Sequence, residues 1–171
     1  MKNSKQTFAI IVAEFNKDIT EAMVMAACDE AAALGVTVPP VLRVPGSYEL
    51  PLIANELLKD PQISGVVVLG YIERGETLHG EVMGHTVHGC LLKASLEHRK
   101  PVGLGIIGPG AVVTQAEERK ESYARAAVRA AVASARVLMK IPKRGSPSNE
   151  SRGRRSGSPG SHAKTGRNPN K

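Results

Sequence analysis

The chain has 171 residues, 42% of them hydrophobic, with five aromatic side chains (Phe8, Phe15, Tyr48, Tyr71 and Tyr123) and no Trp. That length supports one domain with a sizeable core, and the core must be aliphatic. The formal charge of +7 is local: residues 1–141 carry 15 basic and 15 acidic side chains, while residues 142–171 carry eight basic ones and a single acid, Glu150.

Taken in chain order, MKNSKQT leads into FAIIVA (8–13), a short β-branched apolar run that predicts a buried strand. Asp18 followed by Glu21 has the form of a capping box and predicts a helix from Ile19 to about Leu34, stopped by Gly35. VTVPPVLRV (36–44) predicts an edge strand, because its two prolines cannot donate to a ladder. A helix follows from about Leu50 to Lys59, with Pro51 in its first turn. ISGVVVLGYI (63–72) predicts a strand buried on both faces, and a long helix runs from about His79 to His98. VGLGII (102–107) predicts the fourth strand, GPGAVVT a loop, and the segment from Gln115 to Lys140 a helix broken near Ser122, with Pro142 ending the fold. Cys28 and Cys90 both fall among apolar residues of helical patterns and read as two buried thiols rather than a disulfide framework or a zinc site.

The segment 142–171 is rich in Ser, Gly, Pro and Arg and nearly devoid of apolar side chains, so it reads as a disordered tail. Its RGRR could touch a polyanion, but nothing aromatic is interleaved to stack on bases, and a solvated tail is favoured over a nucleic-acid contact. No apolar stretch approaches membrane-spanning length and no signal-peptide core precedes the first strand, so a cytoplasmic location is expected.

The βαβαβαβα alternation implies a parallel sheet with helices on both faces and right-handed crossovers. In open sheets of that kind ligands bind beyond the carboxyl ends of the strands. Four loops are therefore of interest: EFN (14–16), VPGSYE (44–49), YIERGETLH (71–79) and GPG (108–110). RGETLH carries a glycine that lets the main chain approach a ligand, a hydroxyl at Thr77, a helix start, and His79 in the first turn. A neutral imidazole there could take and return protons near neutral pH. Glu76 and Thr77 could equally serve only to cap the helix, and spacing alone leaves both readings standing. Ser47, Tyr48 and Glu49 could bind a polyol or an amide-like ring, or Ser47 could be a plain helix cap. Phe15 is one of two phenylalanines yet sits in a loop, so it is a candidate platform for a flat ring as well as a core side chain. Arg119 in QAEER is a candidate anion clamp, or a partner for Glu117 or Glu118. His79, His85 and His88 share the long helix, but no Asp or Cys completes a ligand set, so a metal site is disfavoured.

FN after the first strand, VPGSYE after the second, LG-x-x-x-RGET-x-H after the third and Q-A-x-x-R before the last helix occur in that order. Together they resemble the 6,7-dimethyl-8-ribityllumazine synthase family over about residues 7–141. The resemblance implies a flavodoxin-like three-layer α/β/α domain at 8–141, with sheet order 2-1-3-4 and a short arm at 1–7. It implies condensation of 5-amino-6-ribitylaminouracil with 3,4-dihydroxy-2-butanone 4-phosphate in riboflavin biosynthesis, releasing phosphate and water, with no metal or cofactor. It also implies residue roles. Phe15 would stack on the pyrimidine; Ser47, Tyr48 and Glu49 would hold the ribityl chain and ring edge; and Tyr71 and Ile72 would border the ring. Leu104 would line a neighbour's pocket. Gly75, Glu76 and Thr77 would lie near the butanone phosphate, which Arg119 of an adjacent subunit would bind, and His79 would carry protons. A homo-oligomer with sites between subunits is implied, with riboflavin synthase as a candidate partner.

The chain departs from the family pattern in three places. Glu73 replaces an aliphatic residue and is expected to pair with Arg74. The segment after Arg119 lacks the family's glycine-rich stretch and its lysine, for which Arg125 is the candidate substitute. The N-terminal segment is short, and with the previous loss this favours a pentamer over a sixty-subunit shell. The rival readings are a non-catalytic flavin-binding assembly on the same fold and a flavodoxin or response regulator. The loop EFNKD lacks the phosphate-binding residues of a flavodoxin, and the strand ends lack the acidic cluster of a response regulator.

Overall fold

The structure, a computed structural model, describes residues 6–142. The chain runs β1 (Phe8–Ala13), α1 (Lys17–Ala33), β2 (Leu42–Val44), a 3-10 turn (Ser47–Glu49), α2 (Leu50–Lys59), β3 (Gly65–Glu73), α3 (His79–His98), β4 (Val102–Ala111) and α4 (Val113–Leu138). The four strands form one parallel sheet in the order β2-β1-β3-β4, as expected.

Strand side chains alternate between two cores because their period is two. Phe8, Ile10, Val12, Val67, Leu69, Tyr71 and Ile107 face α1 and α4, whereas Ala9, Ile11, Ala13, Val66, Val68, Ile72 and Ile106 face α2 and α3. Both faces are covered, which is why β1 and β3 read as unbroken apolar runs. Alternation also explains the glycines of β4. A methyl group on Gly103 would lie 2.3 Å from the Ala127 carbonyl oxygen, so α4 approaches the sheet to a distance that only glycine on the strand and alanine on the helix permit. Among the described residues no helix is long and apolar enough to cross a membrane.

Several local expectations are corrected. Asp18 and Glu21 form no capping box: α1 starts at Lys17, and Asn16, left-handed at φ 59° and ψ 52°, accepts the amides of Ile19 and Thr20 on its carbonyl oxygen. Asn tolerates that conformation better than most residues. Glu21 is instead engaged by Arg43, which donates from Nε and Nη2 at 2.8–3.0 Å, a charge-assisted pairing stronger than a neutral cap bond. The edge strand shrinks to Leu42–Val44, with an isolated bridge between Thr7 and Thr37, because Pro39 and Pro40 interrupt the ladder. Gly35 ends α1 as expected, at φ +72°.

GPGA is strand rather than loop. Pairing with β3 passes from Tyr71↔Ile107 to Glu73↔Ala111, so residues 108–110 arch out of the ladder and the strand then resumes. The last helix starts at Val113, with the Gln115 side chain accepting the Val112 amide at 3.1 Å, and it continues unbroken through Ser122. The Ser122 hydroxyl bonds back to the Arg119 carbonyl at 3.0 Å, which a helix absorbs without breaking. Only Cys28 is even partly buried; Cys90 is exposed on α3. The expected basic tail and residues 1–5 of the expected arm lie outside the described residues. Gln6 and Thr7 form main-chain bonds with Thr37 and Ser64.

Candidate active site

The loops that follow β1, β2 and β3 converge at one end of the sheet, as the geometry of parallel sheets requires. They enclose a cleft of about 540 Å³, lined by Phe15, by Pro45, Gly46 and Ser47, by residues 71–75 with Thr77, and by His79, Gly80 and Met83 from the first turns of α3. That volume is in the range of small-molecule sites. A second cleft of about 370 Å³ lies against it, lined by residues 73–78, Gly80, Glu81, His85, Pro109 and Gly110. Glu73, Arg74, Gly75, Thr77 and Gly80 line both, so the strap 73–77 separates them.

Each side chain is placed by a distinct local cause. Phe15 lies two residues beyond the end of β1 and is 59% exposed, so it is no core residue. Ser47 opens the 3-10 turn and is buried. Tyr48, half exposed, sets its ring edge-on to His79, with centroids 5.9 Å apart and planes at 65°. Such a contact orients the imidazole without occupying either ring nitrogen. Glu49 folds back until Oε2 lies 3.1 Å from where a Gly46 methyl would be. Ile72 is buried on the α3 side of the sheet. Tyr71 is 1% exposed and its ring belongs to the opposite core, so it reaches the cleft from the strand end rather than through its ring. The Tyr71 hydroxyl donates to the Ala111 carbonyl at 2.9 Å. Burial, and secondarily the charge of Glu73, raises its pKa.

The strap itself is short of partners. The Arg74 amide donates to the Ala111 carbonyl at 3.0 Å, and the His79 amide makes a long 3.4 Å contact to the Thr77 hydroxyl. Among the described residues nothing accepts from the amides of Gly75, Glu76 or Thr77. Three open N–H groups beside a helix start make a place for an anion.

The structure thus brings Phe15, Ser47, Tyr71, Ile72, Gly75, Thr77 and His79 to one cleft and Glu76 to its neighbour. Tyr48 touches His79. Glu49 lines neither cleft, and two further expected residues lie elsewhere in this chain. Leu104 is paired with Val68 in mid-sheet, and Arg119 extends from exposed α4, bonded to the Gln115 carbonyl at 3.1 Å. Arg125, the candidate substitute for the family lysine, lines neither cleft of this chain and pairs with Asp29 and Glu30 of α1. Among the described residues no ion pair joins Glu73 to Arg74, and Arg74 and Glu81 both line the second cleft. His85 stands 3.8 Å from Glu81, and His88 meets the Gly84 carbonyl at 2.8 Å, one turn back. Among the described residues no three His, Cys, Asp or Glu side chains gather as metal ligands. Reasoning from sequence did not single out Met83, although its position four residues after His79 puts it on the same helix face. It also missed Asn16, next to Phe15, whose Nδ2 is buried and has no partner among the described residues.

The chain is thus of the parallel α/β class, with strand-end loops that enclose an exposed aromatic ring, an imidazole and a strap of open amides. A profile of the 6,7-dimethyl-8-ribityllumazine synthase family matches residues 5–139. The chain is similar to the 6,7-dimethyl-8-ribityllumazine synthase of Sulfolobus acidocaldarius, 46% identical over 138 residues that make up 81% of this chain and 87% of that one. It is similar to that of Metallosphaera sedula, 46% identical over 81% of this chain and 91% of that one. The protein of the same name from Aeropyrum pernix is 47% identical over 77% and 90%. The chain belongs to the 6,7-dimethyl-8-ribityllumazine synthase family.

Proposed function

We propose that this chain condenses 5-amino-6-ribitylaminouracil with 3,4-dihydroxy-2-butanone 4-phosphate to 6,7-dimethyl-8-ribityllumazine, releasing phosphate and water, in riboflavin biosynthesis. The observation that carries the reading is the pair of adjoining clefts parted by the strap 73–77, one holding Phe15 and His79 and the other flanking the open amides. The pyrimidine lies against Phe15, with its ribityl chain along Ser47, Tyr48 and Glu49 and its ring edge along Tyr71 and Ile72. The butanone phosphate sits on the amides of Gly75, Glu76 and Thr77. His79, steadied by Tyr48, moves protons as the Schiff base forms, phosphate leaves and the ring closes. Both reactants are intrinsically reactive, so holding them side by side supplies much of the rate.

Arg119 and Leu104 serve a neighbouring subunit in this reading, which makes the working unit a homo-oligomer, a pentamer rather than a larger shell. Riboflavin synthase, which uses the product, is the natural partner. The tail adds nothing to the reaction, and the setting is cytoplasmic. The test is direct: purified protein and both substrates are mixed and lumazine absorbance is followed. A rate well above the spontaneous condensation is expected, and a rate equal to it refutes the reading.

A further inference from the structure

The Ala111 carbonyl oxygen takes two hydrogen bonds, one from the Tyr71 hydroxyl in β3 at 2.9 Å and one from the amide of Arg74, just beyond β3, at 3.0 Å. Ala111 is the last residue of β4 and the first to rejoin the ladder after the arch at 108–110. Between Tyr71↔Ile107 and Glu73↔Ala111 the partner strand advances four residues while β3 advances two. A ladder so interrupted holds its far end weakly. The phenol spans the gap from below, and its ring is fully buried against Ile107 and Ala116, so it cannot swing away. Immediately beyond Arg74 come the three amides with no partner of their own. Their position is set at one end by this junction and at the other by the start of α3.

We infer that Tyr71 is a positioning residue: through the Ala111 carbonyl, its hydroxyl fixes where the strap 75–77 leaves the sheet, and so where its amides meet the phosphate of the butanone substrate. The inference rests on the proposed function and deepens it. Burial of the phenol, with the charge of Glu73, raises its pKa and so favours the protonated, donating form. A purely architectural hydrogen bond would affect both substrates alike, or neither. A strap-positioning bond affects the one held by the strap.

The test uses Tyr71→Phe in the full chain, which deletes the hydroxyl and leaves the ring and the Arg74 bond. The KM for the butanone phosphate should rise roughly three- to tenfold, the size of one net hydrogen bond, and by clearly more than the KM for the pyrimidine, which keeps residue 71 at its edge. Amide exchange at Arg74, the bonded amide of the strap, should quicken while β1 and β3 keep their protection. Equal changes in both KM values, no change in either, or a lowered Tm without faster exchange at Arg74 would each overturn the inference. If Tyr71→Phe fails to fold, Ala111→Gly loosens the same carbonyl from the acceptor side; the same split is expected, and its absence counts equally against the proposal. Should the wild-type chain prove inactive, the proposed function fails by itself. Exchange at 74–77, with inorganic phosphate as the probe for protection, then still decides whether Tyr71 holds the strap.

Discussion

At Gly75 a methyl group would meet nothing closer than the Thr77 nitrogen at 3.9 Å, and the backbone there is not left-handed. Folding therefore places no demand on this glycine; the demand comes from whatever lies against the strap. Gly75→Ala should leave unfolding free energy within about 0.5 kcal/mol of wild type, or raise it slightly by restricting the unfolded chain. The same change should raise the KM for the butanone phosphate about tenfold or more, because one methyl in a close ligand contact forces the ligand back. Denaturant titration and steady-state kinetics on one preparation check both halves, and an unaltered KM would show that nothing sits close to the strap. Phe15 carries the complementary lesson. Its large exposed ring is costly in water, and a flat ligand would remove much of that cost.

Among the elements, α3, the end of β4 and the end of β3 meet at separations that only small residues allow. A methyl on Gly84 would lie 2.5 Å from Pro109 Cδ, and one on Gly108 would lie 2.2 Å from the Ile72 carbonyl oxygen. Gly84→Ala should cost about 1–3 kcal/mol as overpacking, read as a lower urea midpoint at unchanged slope; a neutral result would show that Pro109 yields freely. These contacts also mark how far the sequence could be read. The spans of β1, α2 and α3 were legible because a β-branched run marks β1 and a helical period marks the two helices, with Pro51 in the first turn of α2. GPG was not legible as strand, because glycine and proline break ladders locally, and only the resumed Glu73↔Ala111 pairing shows that the strand continues. The start of α1 was misread because Glu21 has a better partner in Arg43, 22 residues away. Of the site, Phe15, Ser47, RGET and His79 were legible through the rule for strand-end loops. Asn16 was not, because a stranded Nδ2 is a fact of three dimensions.

For the whole molecule, the placement of Leu104 and Arg119 away from this chain's clefts is the consequential observation, because a site that borrows from a neighbour exists only in the assembly. His79→Ala and Arg119→Ala proteins should each be nearly inactive alone. Unfolded together and refolded as a mixture, they should recover about a quarter of wild-type activity, since random assembly leaves about one site in four with both contributions intact. No recovery would mean that Arg119 acts within its own chain or not at all. The balanced charge of residues 1–141 fits such an assembly, because that part of each copy adds no long-range repulsion; the +7 of each chain comes from residues 142–171.

The strap between the two clefts has a thermodynamic consequence. Whatever settles on one of its faces must restrict the same few main-chain torsions that the occupant of the other face requires, and the second ligand then finds that ordering already done. Linkage makes the effect mutual: phosphate should tighten the pyrimidine's binding by the same factor by which the pyrimidine tightens phosphate. Calorimetric titration of each in the presence and absence of the other measures both factors, and independent affinities would mean that the strap is rigid before either arrives.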